Sequence, residues 1–268
     1  MKLRISILLA FLLVLQLASC KTQEKVEEES GPTVSGYQVV QVANGGSITG
    51  TVTLSAPVPA SEITIQKDED ACGSSHANPV LPGNAQGVKG AIVFLDHITS
   101  GKAFATPASE PTLNQKGCEY LPHVQIVKRG AKVMLSNADA ALHNSNFKLH
   151  DVSLFNEAQP EGAPPREVKL DKAGLFSVNC DVHTWMRAFV MVVDHPYYAI
   201  TDESGHFSLT DVPAGHYTLK LWRDNWQLEQ PKDPEGRIIG YKWGPDVEKS
   251  AEVTVTTGQS TTADFLLP

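Results

Sequence analysis

Two short segments, ALHNSNF around His143 and NCDVHTWMR from Asn179 to Arg187, carry one cysteine, two histidines and a methionine. A Cys180 thiolate, the imidazoles of His143 and His183 and the weak thioether of Met186 form the ligand class of a mononuclear electron-transfer copper rather than a hydrolytic zinc. The C-x2-H-x2-M spacing lets one tight loop present three donors, while His143 arrives from an earlier segment. Taken singly, a small buried cysteine, a surface histidine and a core methionine are the ordinary readings, and thiolate plus imidazole also suits zinc. The methionine argues for copper, and the four residue types together argue against coincidence.

Strands must hold such donors. Phe176, Val178 and Cys180 alternate onto one side of a strand, delivering the sulfur to the interior end of a sandwich. The run KVMLSN ahead of His143 reads as another strand reaching the same end. From Val39 onward short alternating or β-branched runs, among them GSITGTVTL, GAIVFLD, HVQIVKRGAKVMLSN and RAFVMVVD, lie between Gly, Pro, Asn and Asp. None sustains helical periodicity over a dozen residues, which indicates an all-β sandwich or barrel. A second set of strands runs from YYAITDESGHFSLTDVPAGHYTLKLWRD to SAEVTVTTGQSTTADFLLP. Its turns lie at Asp202 to Gly205 and Pro213 to Gly215, and Tyr217, Leu219 and Leu221 face inward. The boundary between the two sets falls near Asp194 to Pro196.

The 268 residues, with 17 prolines and 20 glycines, suffice for two packed domains of roughly 100 to 150 residues each. Lys2 and Arg4 precede an apolar run from Ile5 to Leu17 that is too short for a comfortable membrane span and reads as a signal peptide over residues 1–19. It ends in Leu17-Ala18-Ser19-Cys20, which resembles the lipobox of bacterial lipoproteins; the resemblance implies acylation of Cys20, a membrane anchor and, with Lys21 following, an outer-membrane location facing the periplasm. Residues 21 to 37 are charged and poor in apolar side chains, so they read as a tether with a reach of about 20 to 25 Å. The formal charge of −8, more negative still once Lys2 and Arg4 leave, argues against a nucleic-acid partner.

The run GAKVMLSNADAALHN followed by CDVHTWMR resembles the cupredoxins, with a ligand loop most similar to the amicyanin type. The resemblance covers about residues 85 to 193 and implies a Greek-key cupredoxin-like sandwich or barrel holding one type 1 copper ion. In it His143 and His183 are the imidazole ligands, His183 lying near the surface, Cys180 is the thiolate and Met186 the axial ligand. Asn144 then ties the two ligand loops together and steadies the sulfur. The C-terminal block, on TDESGHFSL, DVPAGHYTLK and VTVTTGQ, resembles the carboxypeptidase regulatory-like, transthyretin-like β-sandwich. These resemblances imply a copper domain over 38–193 with an N-terminal extension, followed by a small transthyretin-like sandwich over 194–268. GSITGTVTLSAP also looks like the first strand of the second module, so the two domains need not be sequential.

Cys72 and Cys118, in an exported chain, read as a disulfide; with His76 and His123 they leave open a second Cys2His2 metal site. His97, His150, His195, His206 and His216 show no partner pattern and read as surface or structural. Trp185 beside His183 reads either as part of an apolar docking patch or as core packing. The function expected is that of a membrane-tethered one-electron carrier, not an enzyme, exchanging electrons through the His183 edge with a cytochrome, dehydrogenase or reductase. A copper-holding or sensing protein without electron transfer, and an envelope module binding protein or glycan, are the alternatives.

Overall fold

The computed structural model describes residues 36–78 and 86–268. The expected leader, Cys20 and the tether as far as residue 35 lie outside the described residues. The described chain is nearly all β, with a single four-residue helix, Glu69–Cys72.

Two sandwiches account for most of it. The first faces a four-stranded sheet, in the order Arg166–Leu170, Ala131–Asn137, Thr112–Gln115, Tyr120–Leu121, against a five-stranded sheet, in the order Val152–Gln159, His143–Leu149, Gly174–Asn179, Arg187–Val193, Val124–Lys128. Alternation does the sorting. In Gly174–Asn179 every second residue is buried, and Phe176 and Val178 meet Phe147, Leu135, Val133 and Leu113 in one core. Each such side chain removed from water contributes about 1.5 to 3 kcal/mol.

The second sandwich pairs Tyr198–Ile200, Ile92–Leu95, Gly215–Arg223 and Val247–Val255 in one sheet. In the other, Gly46–Leu54 is hydrogen-bonded to His206–Val212, Ser260–Thr262 and Phe265–Leu267. Ile48, Val52, Val93, Leu95, Phe207, Leu219 and Val253 fill its core. Gly50 is required where the strand passes Ala263, because a Cβ there would lie 1.9 Å from that residue's carbonyl oxygen.

This corrects the expected domain limits. Residues 38–193 are not one body: Gly46–Leu54 and Ile92–Leu95 belong to the sandwich that 194–268 completes, and a sandwich built only from the C-terminal block would lack one central strand in each of its sheets. The extension is thus divided, with its middle part, Glu62–Thr64, the short helix and Ser75–Ala77, lying over the end of the first sandwich.

The sandwiches pack through the outer faces of three strands, Arg187–Val193 from the first and Ile92–Leu95 and Gly215–Arg223 from the second. Phe189, Met191 and Val193 meet Ile92, Phe94 and Trp222 in a third apolar cluster. Strands buried on both faces lose polar alternation, which accounts for the continuous runs Ile92–Leu95 and Ala188 to Val193. Beside that cluster Asp224, almost wholly buried, takes hydrogen bonds from His123 and Arg187, and the Arg187 guanidinium lies 3.6 Å from the centre of the Trp243 ring.

Candidate metal centre

Register brings the ligand loops together. His143–Leu149 and Gly174–Asn179 are antiparallel neighbours with Asn146 opposite Asn179, so the start of one and the end of the other share one edge of the sheet. Gly174–Asn179 and Arg187–Val193 form a hairpin closed at the Asn179–Arg187 pair. The loop between them is therefore short and fixed. It winds tightly: the Met186 N–H donates to the His183 carbonyl at 2.9 Å, the Cys180 N–H to the Met186 carbonyl at 3.2 Å, and the His183 N–H to the Cys180 Sγ at 3.3 Å.

The side chains converge. His143 Nδ1 and His183 Nδ1 are 2.8 Å apart, Cys180 Sγ is 3.9 Å from His183 Nδ1, and all three donor atoms lie within 4.8 Å of one another. His143 and His183 are 0 % exposed and Cys180 is 2 % exposed. On the far side of each ring the second nitrogen meets a carboxylate: His143 Nε2 lies 2.9 Å from Asp139 Oδ2, and His183 Nε2 lies 2.8 Å from Asp68 Oδ2. A carboxylate accepts hydrogen bonds, so each ring carries its proton on Nε2 and turns the Nδ1 lone pair inward. Two inward lone pairs at that separation repel unless a proton or a cation lies between them. The donor set, one sulfur and two imidazole nitrogens in a dry pocket, fits a thiophilic transition-metal ion such as copper.

Burial pushes both imidazoles below their ordinary titration range, while Asp139 for His143 and Asp68 for His183 pull the other way. The net effect favours neutral rings, the form that ligates metals.

Met186 is buried and belongs to the same apolar core as Cys180 and Trp185. Its side chain also lines a cavity of about 30 Å³ with Ile63, Tyr120 and Trp185. Asn144 spans the two loops. Its Oδ1 accepts the Asp181 N–H at 2.7 Å and the Cys180 thiol at 3.4 Å, and its Nδ2 donates to Asn156 Oδ1 and Asp181 Oδ2. Asn146 and Asn156 donate to the same Asp181 carboxylate, and these amides hold it below the usual carboxylate range although its partial desolvation opposes them. The Tyr120 hydroxyl donates to the Asn144 carbonyl from the opposite sheet.

Two expectations about exposure are corrected. His183 is not near the surface, because Asp68 and its hairpin cover the outward edge of the ring. Trp185 is not part of an exposed patch: it is 5 % exposed, its indole N–H donates to the Cys118 carbonyl at 3.2 Å, and its ring packs between His183 and Tyr241. The covering hairpin is tied down on several sides. Cys72 and Cys118 form a disulfide, Ile63 and Ile65 enter the core of the first sandwich, and Lys67 Nζ reaches the Val182 carbonyl at 3.2 Å. Gln230 and Tyr241, from the segment between two strands of the second sandwich, bond the backbone of Glu62 and Thr64.

With both sulfurs in the bridge, Cys72 and Cys118 cannot form a second site with His76 and His123. His97, His150, His206 and His216 are exposed, whereas His195 is wholly buried. Asp68, Asp139, Asp181, Asn146 and Asn156 were not singled out from the sequence. Asp139, four residues before His143, offered a spacing signal; Asp68, 115 residues from His183, offered none.

No protein-family model matches the chain, and no curated protein does either. Among solved structures it is similar to a copper-containing nitrite reductase from Thermus scotoductus SA-01 (17 % identity, TM-score 0.29), matched over 35 % of this chain and only 24 % of that one. It is also similar to a purple cupredoxin from Nitrosopumilus maritimus (19 % identity, TM-score 0.29, 31 % of this chain and 99 % of that one). A third is amicyanin from Paracoccus versutus (23 % identity, TM-score 0.29, 32 % and 84 %). Likeness of this degree carries no functional weight.

Proposed function

We propose that the chain is a type 1 copper protein, anchored through Cys20 to a membrane of the bacterial cell envelope, that carries single electrons for a cytochrome, dehydrogenase or reductase and is not itself an enzyme. The observation that carries this reading is the convergence of His143 Nδ1, His183 Nδ1 and Cys180 Sγ on one buried point, with Met186 closing the same loop. A copper ion held there would supply one-electron exchange between Cu(II) and Cu(I). The protein's part is to keep the donors in place. The hairpin closed at Asn179 and Arg187, the Asn144 clasp and the Tyr120 hydrogen bond leave the ligand loops little freedom to rearrange, and the apolar surroundings exclude water. Trp185 and the half-buried Tyr241 offer an aromatic path from His183 towards the surface in place of the exposed edge expected from the sequence.

The closed edge of His183 also favours a second reading, a protein that holds or senses copper without passing electrons. Titration of metal-free protein with Cu(II), followed by ascorbate and then a mild oxidant, separates the two. A carrier develops an intense sulfur-to-copper charge-transfer band that bleaches and returns, and Cys180→Ser abolishes it. Colour that does not cycle supports the holding role, and no metal uptake by wild-type protein overturns both.

A further inference from the structure

Asp68 occupies the N-cap position of the helix Glu69–Cys72, where an aspartate side chain ordinarily accepts a hydrogen bond from the helix's own first turn. It does not do so here. Its backbone is left-handed, at φ 53° and ψ 39°, and the side chain makes no capping bond. Instead Oδ2 reaches His183 Nε2 at 2.8 Å, while Asp139 does the same for His143 Nε2 at 2.9 Å. The two acids come from separate segments, one from a hairpin bridged to the first sandwich by Cys72–Cys118 and one from the loop that leads into His143. The Asp139 carboxylate is independently oriented by the Gly117 and Cys118 N–H groups, at 2.6 and 2.8 Å, so the bridge joins the segment that carries Asp68 to the one that orients Asp139.

We propose that Asp68 and Asp139 are positioning residues of the copper centre, each taking the outer N–H of one ligand imidazole so that both Nδ1 lone pairs face the metal and Cu(II) is favoured over Cu(I). This rests on the copper reading above. An imidazole whose N–H donates to a carboxylate is a stronger donor than one bonded to water or to a carbonyl, and partners of this kind are worth about 10- to 100-fold in metal affinity. The more highly charged ion gains more from the added electron density. The two carboxylates therefore lower the reduction potential, and the hairpin that covers His183 is a tuning element as well as a lid.

The test compares copper-loaded wild type, Asp68→Asn, Asp139→Asn and Asp68→Glu by spectroelectrochemical titration. Each Asn variant is expected to keep the charge-transfer band and to lose about tenfold in Cu(II) affinity relative to Cu(I), which for one electron is an upward shift of about 59 mV. Asp68→Glu is expected to stay nearer wild type. A second readout does not depend on the variants folding: in nitrogen-15 spectra of zinc-loaded wild type, both ligand rings should carry their proton on Nε2, with slow exchange at His183. A Cu(II)-to-Cu(I) affinity ratio changed less than about twofold in both Asn variants, or an Nδ1-protonated ligand ring, would overturn the proposal while leaving the copper reading intact. If wild type takes up no copper, the functional reading fails and this proposal fails with it.

Discussion

Removing the Cys72–Cys118 bridge by the double substitution Cys72→Ser, Cys118→Ser should have two separable effects. The bridge spans 46 residues, and the chain-entropy relation for a loop of that length gives a loss of about 4 kcal/mol at 25 °C. For a protein of this size that corresponds to a fall of about 8 to 16 °C in Tm. The second effect is local. Ile63 and Ile65 still hold one arm of the hairpin and Gln230 and Tyr241 still bond its backbone, so the arm is retained while the helix that presents Asp68 is freed. Amide exchange at positions 72 and 73, whose N–H groups bond the Asp68 and Glu69 carbonyls, should accelerate well beyond any change in the Gly174–Asn179 strand. Denaturation midpoints with and without reductant, together with hydrogen exchange on wild type and variant, measure both. Equal midpoints and unchanged exchange over residues 69–73 would mean that the bridge is neither a global staple nor the anchor of the covering hairpin.

Two further outcomes test the joint between the sandwiches. Burial alone would raise the Asp224 carboxyl, yet His123 and Arg187 hold it below the usual range; that stability is present above the ordinary carboxylate range and is lost as pH falls through the lowered folded value. Asp224→Asn, which takes from buried Arg187 the carboxylate it is hydrogen-bonded to, should cost about 3 to 5 kcal/mol in urea unfolding, and a loss below about 1 kcal/mol would contradict the role given to the pair. His195 is wholly buried, and burial lowers it to about 4 despite the Leu95 carbonyl and Asp96. The unfolded chain therefore binds the extra proton between about pH 4 and 6.5, so His195 should add about 3 kcal/mol of stability as pH rises across that window, and the rise should shrink by that amount in His195→Gln, leaving the part that the lowered His143 and His183 contribute.

The ligand segments were legible because their chemistry is compact: Cys180, His183 and Met186 sit in one loop, and His143 stands at the start of the neighbouring strand. Strand alternation and the turns at Asp202 to Gly205 and Pro213 to Gly215 were legible for the same local reason. What covers the site was not. Asp68 and the hairpin that carries it reach His183 from more than a hundred residues away, and spacing contains no trace of that approach. The domain limits failed likewise, since the hydrogen bonds that draw Gly46–Leu54 to His206–Val212 and Phe265–Leu267 are made between distant segments, although the GSITGTVTL pattern had already pointed to the second module. Trp185 beside an outward-facing histidine reads as a surface residue only while the histidine itself is taken to face outward.

One ion held by Cys180, His143 and His183 together is what copper binding here must show. X-ray absorption at the copper edge of protein loaded with one equivalent of Cu(II) tests it most directly. Wild-type protein should show one short sulfur and two imidazole nitrogens around the metal, with the sulfur lost in Cys180→Ser and one nitrogen lost in His143→Ala. A wild-type spectrum with only oxygen and nitrogen neighbours, or one unchanged by Cys180→Ser, would contradict it.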